Sequence, residues 1–172
     1  MKLDDDDFTL FDLPRRHALD RGELDRRWRA LQSEVHPDRF AAQGDAAQRI
    51  AMQWAVRVNE AYQRLKDPLR RGAYLCELAG SPIEAESNTA MPAAFLMQQM
   101  AWREALDEAR TQAHVQAIDE GVAQAEHRIL ADLAASLDQR HDARAGAGHV
   151  RALMFVHRFR QDIERRLDAF EH

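Results

Sequence analysis

The placement of proline and glycine divides this sequence into two parts. All five prolines lie within the first 92 residues, whereas the remaining 80 residues are interrupted only by Gly121, Gly146 and Gly148. Because proline breaks helix interiors and glycine weakens them, long helices are expected in the second part. Neither part contains alternating runs of β-branched residues or an Asn-Gly hairpin signal. The sequence therefore predicts an all-α protein.

Charge and cysteine content exclude several classes of function. The chain has 24 Lys and Arg against 29 Asp and Glu, which argues against general binding of nucleic acid. Cys76 is the single cysteine, so neither an internal disulfide nor a multi-thiolate metal site is possible, and no metal or cofactor is expected. Asp4 to Asp7 stand where a secretory signal would carry basic and then apolar residues. We therefore expect a cytoplasmic protein that contacts no membrane.

Two amphipathic helices are predicted in the first part. Asp20 and Glu23 have the spacing of a capping box at the start of the first helix, which ends before His36. The second helix begins near Asp45 and stops at Asp67-Pro68. Their apolar stripes consist of Leu24, Trp28, Leu31 and Val35, and of Ile50, Trp54, Val58, Ala61 and Leu65. Facing stripes predict an antiparallel hairpin, which a short third helix over 69–78 would close.

The segment 80–91 is predicted to be a linker because it mixes Gly, Pro, Ser and Asn without an apolar period. It separates a first domain, residues 1–79, from a second domain, residues 92–172. Three helices are predicted in the second domain, at about 92–112, 113–141 and 148–171. Their apolar stripes predict a three-helix bundle.

The first helix of this bundle has two different faces when residues are placed at about 100° steps. One face, predicted to be buried, carries Phe95, Gln99, Trp102, Leu106 and Ala109. The opposite face carries Leu96, Met97, Met100, Ala101, Glu104 and Glu108. Two methionines and a leucine beside carboxylates are typical of a surface that binds a partner. On the last helix, Phe155 lies about a quarter-turn from the core stripe and is predicted to extend this surface.

The connection between the first two helices contains His36, Pro37, Asp38 and Arg39. Because Pro37 cannot continue the helix, we expect the imidazole and the carboxylate to lie at an exposed tip. Residues 14–71 contain 13 Lys and Arg against 8 Asp and Glu, so this domain is locally basic. Two of its arginines, Arg26 and Arg29, are placed on the face away from the apolar stripe, and Arg27 flanks that stripe.

A basic helix, the sequence HPDRF, a helix containing NEAY at 59–62 and a stop at Asp67-Pro68-Leu69 together resemble the J domain of Hsp70 co-chaperones. The segments FTLFDLP, RRGAYLCEL and AFLMQQMAWREALDE narrow the resemblance to the HscB family, the J-type co-chaperones of iron-sulfur cluster assembly. The resemblance covers nearly the whole chain in order. It implies an L-shaped protein of two helical domains without catalysis of its own.

The resemblance also implies two binding sites. His36, Pro37 and Asp38 would trigger ATP hydrolysis by the specialised Hsp70 HscA, and Arg26, Arg27, Arg29 and Arg39 would help to bind it. The scaffold protein IscU would bind the second domain at Leu96, Met97, Met100, Ala101, Glu104, Glu108 and Phe155. Family members often carry an acidic residue where this chain has Gln98 and Ala101, so the polar part of that contact is reduced here.

Two alternatives remain open at the level of sequence. The chain could be a J-domain protein that serves a different client, in which case only the partner of the Met97, Met100 and Phe155 surface changes. It could also be an enzyme that uses His36 and Asp38 as an acid–base pair, although the sequence indicates neither a third catalytic group nor a pocket that excludes water.

Overall fold

The computed structural model describes residues 1–172 and contains helices without any strand, which confirms the predicted all-α class. The seven α-helices are α1 (Asp7–Leu10), α2 (Arg21–Val35), α3 (Asp45–Lys66), α4 (Pro68–Leu78), α5 (Ala93–Glu108), α6 (Gln112–Ala134) and α7 (Ala143–Glu171). A 3-10 helix, Pro37–Gln43, joins α2 to α3, and a π-helical turn, Ala135–Gln139, continues α6. None of these helices has the length and apolar character needed to cross a lipid bilayer.

The chain forms two compact units, Met1–Tyr74 and Leu75–His172, and the boundary between them falls inside α4. The segment 80–91 is fastened to the second unit by a buried arginine. The Arg151 guanidinium donates hydrogen bonds to the carbonyl oxygens of Ile83 and Ala90, each at 3.0 Å. This segment therefore has defined contacts within its own unit.

In the first unit, α2 and α3 form an antiparallel pair. Asp20 caps α2 by accepting a hydrogen bond from the Glu23 amide at 3.1 Å, as its sequence position predicts. Near the start of α2, Arg21 donates a hydrogen bond to the Tyr62 hydroxyl, which lies near the end of α3. The Trp28 ring stacks on the Tyr62 ring with 4.2 Å between their centroids. The aromatic stack and the buried side chains of Leu24, Val58 and Leu65 hold the pair together.

One member of the predicted α3 stripe is placed wrongly. Ile50 remains 56% exposed, whereas Ala51, Val58 and Tyr62 are buried. At about 100° per residue, the stripe that is actually buried is rotated by about 40° from the predicted one, which leaves Ile50 at its edge. The 3-10 helix beside the start of α3 has no buried residue either.

The Asp4–Asp7 run, to which the sequence assigns no role, secures the N-terminal segment to α3. The Asp6 carboxylate caps α1 by accepting hydrogen bonds from the amides of Phe8 and Thr9. Asp7 is fully buried, and its two oxygens each lie 2.8 Å from a guanidinium, those of Arg57 and Arg64. The buried carboxylate is thus fully paired, as a charge in a core must be.

In the second unit, α6 and α7 form the main pair and α5 packs on them through aromatic side chains. Phe95 and Trp102 are buried, as predicted, and contact Phe155 and Phe159 of α7 with centroid separations of 5.7 and 5.9 Å. Helix α5 ends four residues before its predicted end. The π-helical turn ends at Gln139, close to the predicted end of the α6 segment.

Helix α7 begins at Ala143, five residues earlier than predicted, and therefore includes Gly146 and Gly148. Asp142 caps it by accepting a hydrogen bond from the Ala145 amide at 3.0 Å. A Cβ at Gly146 would lie 2.8 Å from Leu137 Cδ2 and 3.3 Å from Cys76 Sγ. This glycine therefore allows α7 to approach its neighbours closely and does not break the helix.

Candidate protein-docking sites

The HPD segment lies at the turn between α2 and α3. His36 leaves helical geometry and becomes the cap of the 3-10 helix, since the Asp38 amide donates a hydrogen bond to its Nδ1 at 3.3 Å. Pro37 occupies the first turn of this helix, where its missing N–H costs nothing. The His36 side chain is 54% exposed and that of Asp38 is 90% exposed. The predicted exposed display is therefore present and is built by local hydrogen bonding.

A shallow recess of about 510 Å³ adjoins this segment, and its lining is predominantly basic. It is formed by Arg29, Gln32, Ser33, His36 and Arg39. Arg39 folds back toward the end of α2 and donates a hydrogen bond from Nη1 to the Ser33 carbonyl oxygen at 3.2 Å. This contact places its guanidinium beside His36, on the wall of the same recess.

The three arginines predicted on α2 differ in their surroundings. Arg29 is exposed and forms no ion pair. Arg26 is exposed and paired with Glu23, whose pKa is lowered by hydrogen bonds from Arg26 and Arg27. Arg27 is half-buried and donates a hydrogen bond to the Phe11 carbonyl oxygen at 3.0 Å. Arg27 is therefore also part of the internal structure of the unit; its place beside the apolar stripe agrees with this, whereas its partner Phe11 could not be predicted.

The geometry bears on the acid–base alternative. His36 Nδ1 and Asp38 Oδ2 are 3.7 Å apart. Both side chains stand in solvent, His36 on the wall of an open recess, and a general acid–base pair acts best where water is excluded. The arrangement is better suited to contact with another protein.

The second site lies on α5, whose two faces have the burial that the sequence predicts. Leu96, Met97 and Met100 are 45%, 75% and 73% exposed, respectively, among the most exposed large apolar side chains in the chain. Ala101, Glu104 and Glu108 are exposed beside them. We refer to these six residues as the α5 surface. An apolar patch flanked by carboxylates is a common feature of protein interfaces.

Phe155 does not extend the α5 surface, contrary to the prediction. Its side chain is 5% exposed and packs against Phe95 and Phe159, with ring centroids 5.7 Å away in each case. The position a quarter-turn from the core stripe is buried because α5 lies over it. Phe155 therefore supports α5 from beneath and offers almost no area to a partner.

Arg103 is a residue at this site that the sequence reasoning missed. Its guanidinium carbon lies 5.2 Å from the centroid of the Phe155 ring, in a cation–π contact at the side of α5. The pairing joins residues that are 52 positions apart in the chain. No local sequence signal could have indicated it.

The helical hairpin with an exposed HPD turn, followed by a unit of three long helices, defines the class as an all-α protein resembling the J-type co-chaperones. Comparisons with known proteins identify the family within this class. Residues 91–164 match the family described as HSCB C-terminal oligomerisation domain. A co-chaperone protein HscB homolog from Burkholderia mallei is 53% identical, with 100% of this chain and 99% of the relative aligned. A homolog from Bordetella petrii is 51% identical over 92% of this chain and 94% of the relative.

Solved structures agree with these sequence matches. Chaperone HscB from Vibrio cholerae has a TM-score of 0.79 and 36% identity, and the match covers 96% of this chain and 99% of that one. The human co-chaperone protein HscB has a TM-score of 0.86 and 26% identity, with 96% and 84% covered. This chain belongs to the HscB family of co-chaperones.

Proposed function

We propose that this chain binds the iron-sulfur scaffold protein IscU, delivers it to the Hsp70 HscA and stimulates ATP hydrolysis by HscA. The division of labour follows the two sites. The first unit acts as the J domain, using His36, Pro37 and Asp38, while the α5 surface of the second unit holds the scaffold. The chain acts in the cytoplasm and contributes no catalytic group of its own. Membership of the HscB family supports the general role of a co-chaperone.

The observation that carries the proposal is the exposed, locally ordered HPD turn beside a basic recess. His36 caps the 3-10 helix, so both the imidazole and the Asp38 carboxylate are held at the surface before any partner arrives. Arg29 and Arg39 line the same recess and suit an acidic partner surface. A preformed display reduces the ordering cost of binding.

The α5 surface supports the scaffold-binding half of the proposal. Its exposed apolar side chains would lose water on binding, and the carboxylates of Glu104 and Glu108 would set orientation at the rim. Because both sites belong to one chain, a bound scaffold is present at the Hsp70 at a raised effective concentration. Two modest affinities can then act together.

Steady-state ATP hydrolysis by HscA tests the proposal, measured with this chain, with IscU and with both. We expect synergistic stimulation by both together, and its loss with His36→Gln while binding of IscU to this chain is retained. Stimulation that is indifferent to IscU would keep the J-domain role and reject the scaffold as client. No stimulation by any combination would reject the proposed function.

A further inference from the structure

We propose that Met97 and Met100 form an oxidation switch on the α5 surface: hydrogen peroxide converts them to sulfoxides and thereby releases the scaffold protein. The inference rests on the proposed scaffold-binding function of this surface and adds a regulatory modification site to it. The two residues are three positions apart on α5, so their side chains are neighbours on one face of the helix. Both thioethers therefore belong to a single apolar patch.

The six methionines of the chain differ sharply in accessibility. Met97 and Met100 are the most exposed of the large apolar side chains, at 75% and 73%. In the same unit, Met91 and Met154 are half-buried, and Met91 Sδ accepts a hydrogen bond from Gln99 Nε2 at 3.2 Å. The other exposed methionines, Met1 and Met52, belong to the first unit. Exposure controls methionine oxidation, so the reactive sulfurs of the second unit are those on the α5 surface.

The chemistry is an oxygen-atom transfer. The thioether sulfur attacks one peroxide oxygen, an S–O bond forms as the O–O bond breaks, and the second oxygen leaves as hydroxide, which takes the proton of the transferred oxygen and becomes water. Sulfur is oxidised by two electrons and the peroxide is reduced by two. A thiol-dependent sulfoxide reductase restores the thioether: two thiols supply the two electrons and form a disulfide, and the sulfoxide oxygen leaves as water. Each oxidation replaces an apolar, flexible side chain by a polar one at the centre of the proposed interface.

Because of the way α5 packs, oxidation of its two exposed methionines can weaken scaffold binding without reducing the stability of the second unit. The helix is anchored by Phe95 and Trp102, which contact Phe155 and Phe159 on the buried side. Met97 and Met100 point away from this cluster into solvent, where a sulfoxide oxygen can be hydrated. Oxidation should therefore weaken scaffold binding and leave the second unit folded. The HPD turn, in the first unit, contains no methionine and is therefore not modified by the peroxide.

The test is calorimetric binding of the scaffold protein IscU by the full chain before and after peroxide treatment, with site-by-site sulfoxide content measured by mass spectrometry. A Met97→Leu, Met100→Leu double variant removes both sulfurs while keeping apolar volume. Met52→Leu is the matched control, because this exposed methionine lies outside the α5 surface. Each protein is compared with its own untreated form, and circular dichroism follows the fold.

We expect treatment to weaken binding by the wild-type chain and by Met52→Leu about tenfold or more, since both keep the two sulfurs of the apolar patch. The reductase should restore this loss, and the double variant should show no change on treatment. Full oxidation of Met97 and Met100 without a loss of affinity would overturn the switch. An equal loss in the double variant would overturn it as well, because the sensitive group would then lie elsewhere. Failure of the untreated chain to bind the scaffold would instead overturn the proposed function and the switch together.

Discussion

The backbone N–H of Asp38 donates a hydrogen bond to Nδ1 of His36, so the imidazole orders the turn that presents the Asp38 carboxylate. The same side chain is thus both a structural cap and the proposed contact with the Hsp70. Two substitutions separate these roles, because asparagine is a good acceptor at a helix N-terminus and glutamine is not a preferred one.

His36→Asn should retain the cap, whereas His36→Gln should lose it at a cost of about 1 kcal/mol in local stability. We expect both variants to lose stimulation of the Hsp70 ATPase by about tenfold or more, because both lack the imidazole at the docking surface. Steady-state ATP hydrolysis and thermal unfolding measure the two effects. Stimulation retained by His36→Asn would show that the ring acts only as a cap.

The burial of Phe155 separates binding from folding in the second unit. Replacing Leu96 and Met97 together by alanine should weaken scaffold binding by about 2 kcal/mol with little change in the free energy of unfolding. Phe155→Ala should instead reduce the free energy of unfolding by about 3–5 kcal/mol, since it leaves a cavity among aromatic rings. Calorimetric titration and urea unfolding distinguish these outcomes. A stable Phe155→Ala variant that fails to bind would place the ring at the interface.

Two helical glycines provide a matched pair. Gly146→Ala should reduce the free energy of unfolding by about 1–3 kcal/mol, because the new methyl group would overlap Leu137 and press on Cys76. Gly121→Ala, in the middle of α6, should stabilise the chain by about 0.5–1 kcal/mol, because the new Cβ meets no other element within 4 Å. Urea unfolding of both variants tests this. Equal effects would contradict the close approach at Gly146.

Acid unfolding should report on the cap of α1. Burial alone would raise the pKa of Asp6, but hydrogen bonds from Arg15 and Thr9 outweigh it and lower the pKa to about 2 from its ordinary 3.8. The stabilisation is complete above the unfolded-state pKa and is lost as the pH falls from about 4 to about 2. We expect the ionised Asp6 carboxylate to contribute about 1–2 kcal/mol to the free energy of unfolding. The value is less than the full pKa shift would give, because Arg15 is exposed to solvent.

Asp6→Asn isolates this charge, since asparagine caps helices as well as aspartate does. At neutral pH the variant should be less stable by about the same 1–2 kcal/mol. Its free energy of unfolding should also fall less steeply in acid than that of the wild type. Urea unfolding between pH 2 and 7 provides the measurement. If the free energy of unfolding fell equally steeply with decreasing pH in the two proteins, the lowered pKa of Asp6 would be contradicted.

Substitutions of the arginines of α2 should have different effects on Hsp70 docking and on stability, because the surroundings of these side chains differ. Arg29→Ala should weaken Hsp70 docking with little change in stability, because this exposed side chain forms no direct ion pair and attracts Asp25 only at longer range. Its effect should shrink as ionic strength rises. Arg27→Ala should lower the melting temperature as well, because it removes the hydrogen bond to the Phe11 carbonyl oxygen. ATPase stimulation at two salt concentrations, with thermal unfolding of each variant, checks both statements.

Local features of the sequence are sufficient to predict the six longer α-helices and the HPD turn, but not the short helix α1 or the exact ends of α5 and α7. The cap at Asp20, the stop at Asp67-Pro68 and the exposed tip at Pro37 depend on residues within one or two turns of each other. The two faces of α5 follow in the same way, because the helical repeat alone separates Phe95 and Trp102 from Met97 and Met100.

Tertiary packing decided the rest. Four features depend on which neighbour covers each position: the exposure of Ile50, the burial of Phe155, the cation–π contact of Arg103 and the close approach at Gly146. Those neighbours are distant in the chain: Leu137 and Cys76 approach Gly146, and Phe95 approaches Phe155. A helical repeat gives the direction of a side chain, whereas burial depends on the element that lies opposite, and only the assembled unit provides that element.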